Sequence, residues 1–498
     1  AGRRRLLRQF LAESAVLAGI GGAVGLVLGH QGLRALLAAS PDTLPRADSI
    51  RLDATVLLFT IGLTVVTSIL FGLAPLSRLK RRTTADLKGG DVRSSADGGR
   101  LGLRRLLATS QVALAVVLVV GSGLLLRSLG ALYDVDPGFE SGGLLTFELS
   151  LPAALYPEAA DRAAFFNLLT GRLEGTPGIA SAAAMSGLPP ARESNETEVV
   201  FEGQEERPGS PHHSVDHFQF IAGDYFATMG TRIVAGRAFR RGDDVDGAPV
   251  AIINETLARM FYPGENPLGR RVRPNWGDVP WATIVGIAED VKQSGLSSET
   301  GSELYFHYPQ GELVYFAPRT MNIVARSSGP SPLSLAEEAR RTVHALDPAL
   351  PLAHLQAMDA QLAGSLRMPR FLALLLTTFA AIGLALAAIG TYGVLSYSVA
   401  GRGQEIGIRM ALGARAGGVL RMVLRDGLAM TSIGLALGLI GALALTRLLA
   451  SLLFGISGTD PATYAAALAV LAIVALAACL IPARRATRVD PIVALRAE

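Results

Sequence analysis

Cysteine is nearly absent from the sequence: Cys479 is the single one, and it lies within an apolar run. A disulfide needs two cysteines, so neither a disulfide framework nor a cysteine-based zinc site can form within the chain. Histidines are scarce as well, with seven in 498 residues. The densest group of metal-ligating side chains is His212, His213, Asp216 and His217, but the prolines and glycines around it indicate an exposed turn without fixed geometry. We therefore predict no metal site.

Charged residues are also few for a chain of this length. Only 18% of the residues are charged, 50% are apolar, and the mean hydropathy is +0.37. A soluble chain of this size carries more charge, so this balance indicates a membrane protein. The formal net charge is +4, and the basic residues cluster beside apolar runs without interleaved aromatic residues. Binding to nucleic acid is therefore not expected.

Nucleotide-binding and hydrolase motifs are missing from the sequence. No G-x-x-x-x-G-K-[ST] occurs, so this chain cannot hold ATP phosphates in a P-loop. No G-x-S-x-G occurs either, and no Ser-His-Asp arrangement can be assigned. We predict a protein that is not an enzyme and that has no catalytic or cofactor-binding residues of its own.

What the sequence does contain is a set of six long uncharged runs, each long enough to cross a bilayer as a helix. The runs are residues 14–33, 54–77, 106–126, 371–400, 427–446 and 462–481. Residues 78–105 hold nine Lys or Arg against three Asp, which places this segment in the cytoplasm by the positive-inside rule. Basic residues also precede the first run and follow the last, so both ends are predicted to be cytoplasmic.

The chain between the third and fourth runs is predicted to form one extracytoplasmic domain, because its roughly 240 residues contain no membrane-length apolar segment. Strand–helix–strand patterns occur at residues 147–185 and 322–358, and in the first of them Phe165 and Leu169 fall on one helical face. Two such units predict an α+β layer of the split βαβ type. Short β-type runs in residues 194–318 predict a β-rich insert between them.

The link between the fourth and fifth runs, residues 401–415 (GRGQEIGIRMALGAR), is the most informative stretch. Five arginines between residues 402 and 425 place it on the cytoplasmic side. Its apolar residues alternate as in a strand, but Glu405 and Arg409 lie four apart with the acid first, which favours a helix. An isolated strand would have no partner here, so we predict a short surface helix. From the residues alone, an amphipathic helix lying on lipid is an alternative interpretation.

The segment EIGIRMALGA in this link and the C-terminal VDPIVALRAE resemble the FtsX-like/MacB-like permeases of ABC transporters. In that family the first segment docks on the nucleotide-binding subunit, so the resemblance implies an ATPase partner that itself binds ATP and Mg²⁺. The residues that carry over to this contact are Glu405, Ile406, Gly407, Ile408, Arg409, Met410 and Leu412. By this resemblance Ile406, Ile408 and Met410 would fill a hydrophobic groove on the ATPase, while Glu405 and Arg409 set the register by charge.

The resemblance covers essentially the whole chain and implies an order of domains. Residues 1–77 would be the last two transmembrane helices of a first FtsX-like unit, 78–105 a basic cytoplasmic linker and 106–130 a transmembrane helix. Residues 131–368 would be a MacB-like periplasmic core domain. Residues 369–498 would be a C-terminal FtsX-like domain with three transmembrane helices and the coupling helix at 401–415.

An internal repeat supports this order. Residues of the first run align with residues of the fifth at an offset of 413, which pairs Glu13 with Asp426, and Asp53 before the second run corresponds to Asp460 before the sixth. We expect Glu13 and Asp426 in the first turns of their helices, where acidic residues are favourable. Because the chain begins with Ala1 partway through the repeat, we expect it to be a duplicated permease that is N-terminally incomplete.

Together these patterns predict an α-helical membrane protein with six transmembrane helices and one α+β extracytoplasmic domain, located in the bacterial inner membrane. The implied function is that of an ABC permease that transmits ATP-driven motion to the outer domain for export or efflux. The implied partners are an ATPase dimer, lipid, a second permease unit in a homodimer or pseudo-dimer, and a periplasmic adaptor. An FtsX-like regulator of a cell-envelope enzyme and an adhesion or sensor protein without an ATPase are the alternatives.

Overall fold

A computed structural model of the chain describes residues 3–39, 53–73, 95–203, 213–240, 242–243, 247–275, 279–310, 317–412 and 415–487. The chain divides into two compact units. The first, the helical unit, comprises Ala1–Ala131 and Arg367–Glu498, and the second, the outer unit, comprises Leu132–Leu366. Residues 78–94 of the basic linker and the C-terminal VDPIVALRAE lie outside the described residues.

The helical unit is built from long apolar helices. Their bounds are α1 Arg3–Ala39, α2 Ala54–Leu73, α3 Ser95–Tyr133, α9 Arg367–Gly401, α10 Gly403–Ala411, α11 Ala416–Leu449 and α12 Pro461–Ala486. Among the residues that the structure describes, five helices are long and apolar enough to cross a membrane. The other predicted span corresponds to α2, whose apolar stretch Ala54–Ile69 is shorter. Residues 95–105, predicted as linker, are helical and form the start of α3.

Glycines bring α3 and α11 unusually close together. A Cβ added at Gly434 would lie 2.8 Å from Cβ of Val112, and one added at Gly438 would lie 2.5 Å from Cβ of Val116. These two glycines are four residues apart, as in the small-xxx-small motif that lets transmembrane helices approach closely. The valines also belong to an apolar core that α3 shares with α9, α11 and α12, which includes Ala387, Ala442, Tyr464 and Leu471. The four helices therefore pack as one bundle.

Two equivalent helix starts agree with the internal repeat. Oδ1 of Asp53 accepts a hydrogen bond from the backbone N–H of Val56 at 2.9 Å at the start of α2. Oδ2 of Asp460 accepts one from the backbone N–H of Thr463 at 2.8 Å at the start of α12. Both aspartates thus cap their helices through the residue three positions later.

The outer unit contains a twelve-stranded sheet with helices packed on it. Its strands are β1 Leu144–Ser150, β2 Ile179–Met185, β3 Thr197–Phe201, β4 His213–Val215, β5 His217–Gly223, β6 Ile233–Gly236, β7 Val250–Asn254, β8 Arg271–Pro274, β9 Ala282–Ala288, β10 Glu303–His307, β11 Thr320–Ser327 and β12 Ala353–Ala357. Its helices are α4 Ala159–Glu174, α5 Tyr225–Met229, α6 Glu255–Phe261, α7 Ala336–Leu346 and α8 Met358–Ser365.

Four strands form the predicted split βαβ layer. They lie in the order β12-β1-β11-β2 with antiparallel pairing, which is the order that two interleaved strand–helix–strand units produce. The predicted apolar face of α4 is confirmed, because Phe165 and Leu169 are buried against this sheet. The second helix of this layer, α7, begins at Ala336, after Ser331 and the 3-10 turn Pro332–Leu335.

The predicted β-rich insert joins the same sheet. Strand β5 pairs antiparallel with β2, and the sheet then continues through β10, β7, β9, β8, β3 and β4. The sequence predicted the insert but gave no reason to expect a continuous sheet. Pairing β5 with β2 covers an edge strand that would otherwise expose unpaired backbone groups.

Candidate functional site

The predicted coupling segment forms a helix of its own. Helix α9 ends at Gly401, Arg402 breaks the regular geometry with φ −105° and ψ 13°, and α10 runs over Gly403–Ala411. The first turn of α10 follows directly on this break, because the carbonyl of Arg402 accepts from the N–H of Ile406 at 2.9 Å. Leu412 ends the helix, its N–H donating to the carbonyl of Ile408 at 3.0 Å. The helical interpretation of this stretch is therefore correct.

One face of α10 is buried within the protein itself. The side chain of Ile406 has no exposed surface and packs with Val419, Val423 and Ala483. Gly407 is buried beside it, and Met410 is partly buried against the same cluster. Since Val419 and Val423 belong to α11 and Ala483 to α12, helix α10 is anchored on the ends of these two helices. Ile406 is thus buried against α11 and α12, whereas the sequence predicted that it would fill a groove on the ATPase.

The opposite face of α10 carries apolar and charged side chains in the open. Leu412 is 82% exposed and Ile408 is 43% exposed. Glu405 and Arg409 form the expected ion pair, with Nη2 of Arg409 2.6 Å from Oε1 of Glu405. Such a pair contributes a few tenths of a kcal/mol to helix stability, about 0.3–0.5 kcal/mol. An exposed leucine and isoleucine beside paired charges are the residue types that a partner surface can bury.

The acidic residue of the fifth run is not where the sequence suggested. Asp426 lies well inside α11, which begins at Ala416, so it is not in a first turn. Its partner is Arg402, whose Nη1 lies 2.9 Å from Oδ2 of Asp426. This ion pair attaches the residue at the break between α9 and α10, Arg402, to helix α11. Glu13 is likewise inside α1, where Oε1 accepts from Nε2 of Gln9 at 3.3 Å.

The outer unit holds a buried polar cluster that the sequence did not indicate. Glu303 is fully buried in β10, and its carboxylate accepts hydrogen bonds from Nε2 of Gln293 at 2.8 Å and from the hydroxyl of Tyr305 at 2.7 Å. Nη1 of Arg192 lies 3.6 Å from Oε1 of Glu303. Burial raises the pKa of Glu303 to about 7 and lowers the pKa of Arg192. Loss of hydration therefore outweighs the attraction between the two charges.

The predicted histidine group is dispersed. The ring of His213 in β4 packs on Phe201, with 5.8 Å between centroids, and Nε2 of His217 in β5 lies 3.3 Å from the hydroxyl of Ser294. Burial lowers the pKa of His217 to about 4, so its imidazole is neutral at physiological pH. Oδ2 of Asp216 instead accepts from the N–H of Ser302 at 2.7 Å. His212 lies outside the described residues, and among those described no group of three His, Cys, Asp or Glu could hold a metal.

An open cleft of about 940 Å³ lies beside the buried cluster. Its lining includes Arg192, Asn195, Phe218 and Phe220. The guanidinium of Arg192 is already engaged, because it donates to Oδ1 of Asn195 at 2.9 Å and also to the carbonyl of Phe218. These hydrogen bonds join the β2–β3 connection, which contains Arg192 and Asn195, to strand β5, which contains Phe218.

Comparison with known proteins identifies the class to which this architecture belongs. Residues 377–491 match the FtsX-like permease C-terminal family, and residues 106–342 match the MacB-like periplasmic core domain family. The chain therefore contains an FtsX-like permease C-terminal domain and a MacB-like periplasmic core domain, as its sequence motifs predict.

Individual relatives carry names of the same kind. The pyoverdine export ATP-binding/permease protein PvdT of Pseudomonas entomophila (strain L48) is 30% identical over 283 residues, which are 53% of this chain and 40% of that protein. The macrolide export ATP-binding/permease protein MacB of Marinobacter nauticus (strain ATCC 700491 / DSM 11845 / VT8) is 27% identical over 275 residues, 53% of this chain and 41% of that protein. The match thus spans less than half the length of these relatives.

A solved structure of a related region also matches. The periplasmic region of MacB from Actinobacillus actinomycetemcomitans is 15% identical, with a TM-score of 0.31, and the match covers 46% of this chain and 95% of that one. At that score the sheet order described above, and not this likeness, defines the fold of the outer unit.

Proposed function

We propose that this chain is the permease of an ABC exporter in the bacterial inner membrane. An ATPase dimer, which alone would bind ATP and Mg²⁺, would dock on α10 and drive motion of the outer unit. The names of the relatives concern export, and this favours an exporter over a regulator of a cell-envelope enzyme or an adhesion protein. A second permease unit, as a homodimer or pseudo-dimer, and a periplasmic adaptor belong to the same proposal.

The observation that carries the proposal is the division of α10 into an anchored face and an open face. Ile406 holds the helix against α11 and α12, while Ile408 and Leu412 face outward. A docking helix has to combine these properties, because it must receive a push from a partner and pass it to the helices behind it. The partner would bury Ile408 and Leu412 and use Glu405 and Arg409 for register.

The test replaces the two open-face side chains in the full chain, co-expressed with the ATPase. In the double variant Ile408→Asp, Leu412→Asp, the amount of ATPase that co-purifies should fall at least tenfold, because charge would be placed in an apolar contact. The substitution Ile406→Asp would bury a charge and destabilise the fold, so its effect could not be assigned to docking. Ile406 is therefore left unchanged.

The matched control is Leu452→Asp, because Leu452 is 50% exposed in the 3-10 turn that follows α11 at its other end. This variant should retain the ATPase. Full recovery of the ATPase by the open-face variant would refute docking on α10. Failure of the unaltered permease to recover any P-loop subunit would favour an adhesion or sensor protein.

A further inference from the structure

The connection between α11 and α12 grips the end of α3. Arg127 and Asp460 form an ion pair across this contact. One residue further along α3, the hydroxyl of Ser128 accepts a hydrogen bond from the backbone N–H of Phe454 at 2.8 Å. A Cβ added at Gly455 would lie 3.1 Å from Cβ of Ala131. The connection thus touches α3 through charge, backbone hydrogen bonding and close packing.

These contacts follow one face of α3. A Cβ added at Gly123 would lie 2.8 Å from Cγ2 of Thr463, in the first turn of α12. Gly123, Arg127 and Ala131 are spaced by four residues, so they lie one above another on the helix. The start of α12 and the connection before it therefore follow α3 over two turns.

Asp460 is held in place independently of Arg127. Its Oδ2 accepts from the backbone N–H of Thr463 at 2.8 Å and from the hydroxyl of Thr463 at 2.6 Å. These hydrogen bonds, and after them the bond from Arg127, lower the pKa of Asp460. The carboxylate is consequently ionised and preoriented, and Arg127 meets a fixed partner at little further cost in side-chain freedom.

The other end of the same pair of helices contacts the coupling helix. Ile406 packs on Val419 and Val423 near the start of α11 and on Ala483 near the end of α12. The α11–α12 hairpin therefore touches α10 at one end and α3 at the other. Helix α3 ends at Tyr133, and the outer unit begins within it at Leu132.

We propose that the α11–α12 hairpin is the strut that carries motion from α10 to α3, and that the Arg127–Asp460 pair fastens the strut to the helix leading into the outer unit. This inference rests on the proposed function, because it takes the docked ATPase as the source of motion. Arg127 and Asp460 are positioning residues in this scheme, acting through α3. An exposed ion pair contributes little to stability, so its loss should change transmission more than folding.

Substitutions can separate the ion pair of Asp460 with Arg127 from the role of Asp460 as the N-cap of α12. Asp460→Asn keeps a good helix N-cap and removes the charge, and Arg127→Ala removes the other partner. Arg127→Lys retains a cation and serves as the conservative variant. The matched control is Arg271→Ala in the outer unit, because Arg271 is 48% exposed against 49% for Arg127 and also pairs with a carboxylate, that of Glu202.

The measurement is hydrogen exchange of the full permease with its ATPase, before and after trapping with ATP and vanadate. In the unaltered complex, trapping should change exchange in the peptides that cover residues 123–133 and the outer unit. Arg127→Ala and Asp460→Asn should reduce that change at least fivefold, whereas Arg127→Lys and Arg271→Ala should preserve it. The double variant Arg127→Ala, Asp460→Asn should be no worse than either single variant, because the two residues act as one pair.

The outcomes separate the two claims. A full trapping-dependent change in Arg127→Ala and Asp460→Asn would overturn the strut while leaving docking on α10 intact. If both variants reduced ATPase co-purification as strongly as the open-face variant, the pair would act on docking or folding and the strut would again be overturned. An unaltered permease that binds no ATPase would refute the proposed function, and this inference with it.

Discussion

At the scale of single residues, the buried carboxylate of Glu303 makes the outer unit sensitive to pH. Its pKa is about 7 in the folded protein because burial disfavours the charged form, whereas the ordinary pKa of an exposed glutamate is 4.5. Between pH 4.5 and about 7, Glu303 therefore remains protonated in the folded protein but is ionised in the unfolded chain. Stability from this group is fully present below pH 4.5 and is lost as pH rises to about 7.

We expect the free energy of opening of β10 to fall by on the order of 3 kcal/mol over that pH range. The Glu303→Gln variant should lose most of this slope, because it has no charged form to bury. Hydrogen exchange of the β10 amides in the full chain, corrected for the intrinsic rate at each pH, measures the effect. Glu265→Gln is the control, since Glu265 is 63% exposed and its pair with Arg270 lies at the surface. An unchanged slope in Glu303→Gln would show that another group titrates.

Individual residues also show where sequence patterns stop being informative. The spacing of the charged residues predicted the helix α10, while its apolar residues alternate as in a strand: Ile406 and Ile408 are two residues apart, and one is buried and the other open. Over so short a segment, apolar residues two positions apart are compatible with a strand and also with a helix, so this spacing does not show which residues are buried. Arg192 and Glu303 are 111 positions apart in the sequence, so no local pattern could have paired them.

At the scale of elements, close packing of α3 against α11 depends on Gly438. The Gly438→Ala variant places a Cβ 2.5 Å from Cβ of Val116 and 2.7 Å from the carbonyl oxygen of Ala113, so the two helices must separate. Overpacking of this kind typically costs about 1–3 kcal/mol, and the melting temperature of the helical unit in detergent should fall by several degrees.

Gly418→Ala is the matched control in the same helix, because a Cβ at Gly418 meets no atom within 4 Å. It should leave the melting temperature unchanged or raise it, since alanine is the better helix former. Equal melting temperatures for Gly438→Ala and the unaltered chain would contradict the close contact between α3 and α11.

The elements themselves were largely predictable, and their ends were not. Strands β2, Ile179–Met185, and β9, Ala282–Ala288, lie within the segments 147–185 and 194–318, where the sequence predicted strands. Hydropathy marks only the apolar part of a helix, however, and α1 extends over Arg3–Ala39 where the uncharged run covers residues 14–33. Charged residues continue a helix without changing its backbone, so uncharged length underestimates helix length. For the same reason Asp426 was expected in a first turn that lies ten residues earlier.

At the scale of the whole molecule, the proposed function requires α10 and the outer unit to lie on opposite sides of the membrane. Single cysteines can test this in a Cys479→Ala background, since Cys479 is the only native cysteine. In spheroplasts, an impermeant maleimide should label Glu337→Cys, because Glu337 is 71% exposed in the outer unit. Glu405→Cys should be labelled only after permeabilisation. Labelling of both variants in intact spheroplasts would place α10 outside and end the docking proposal.

The number and order of the large parts could be predicted because both follow from long-range composition. Uncharged runs, basic clusters and the length between runs locate helices and the outer unit without any knowledge of contacts. Which strands neighbour one another depends on pairing between distant segments, and the continuous sheet from β12 to β4 was therefore not foreseen. The division into a first FtsX-like unit at residues 1–77 and a second unit after it stays a prediction.

The pairing of β2 with β5 limits how the outer unit can respond to force. Three residue pairs, from Ala183 with Gly223 to Met185 with Ile221, join the insert to the split βαβ layer, and all of these residues except Gly223 have buried side chains. Motion of the insert relative to the split βαβ layer would require breaking the backbone hydrogen bonds between β2 and β5, which lie in the middle of the sheet. We therefore expect the outer unit to move as one rigid body, so that a force applied to it would displace the whole unit and would not change the arrangement of its strands.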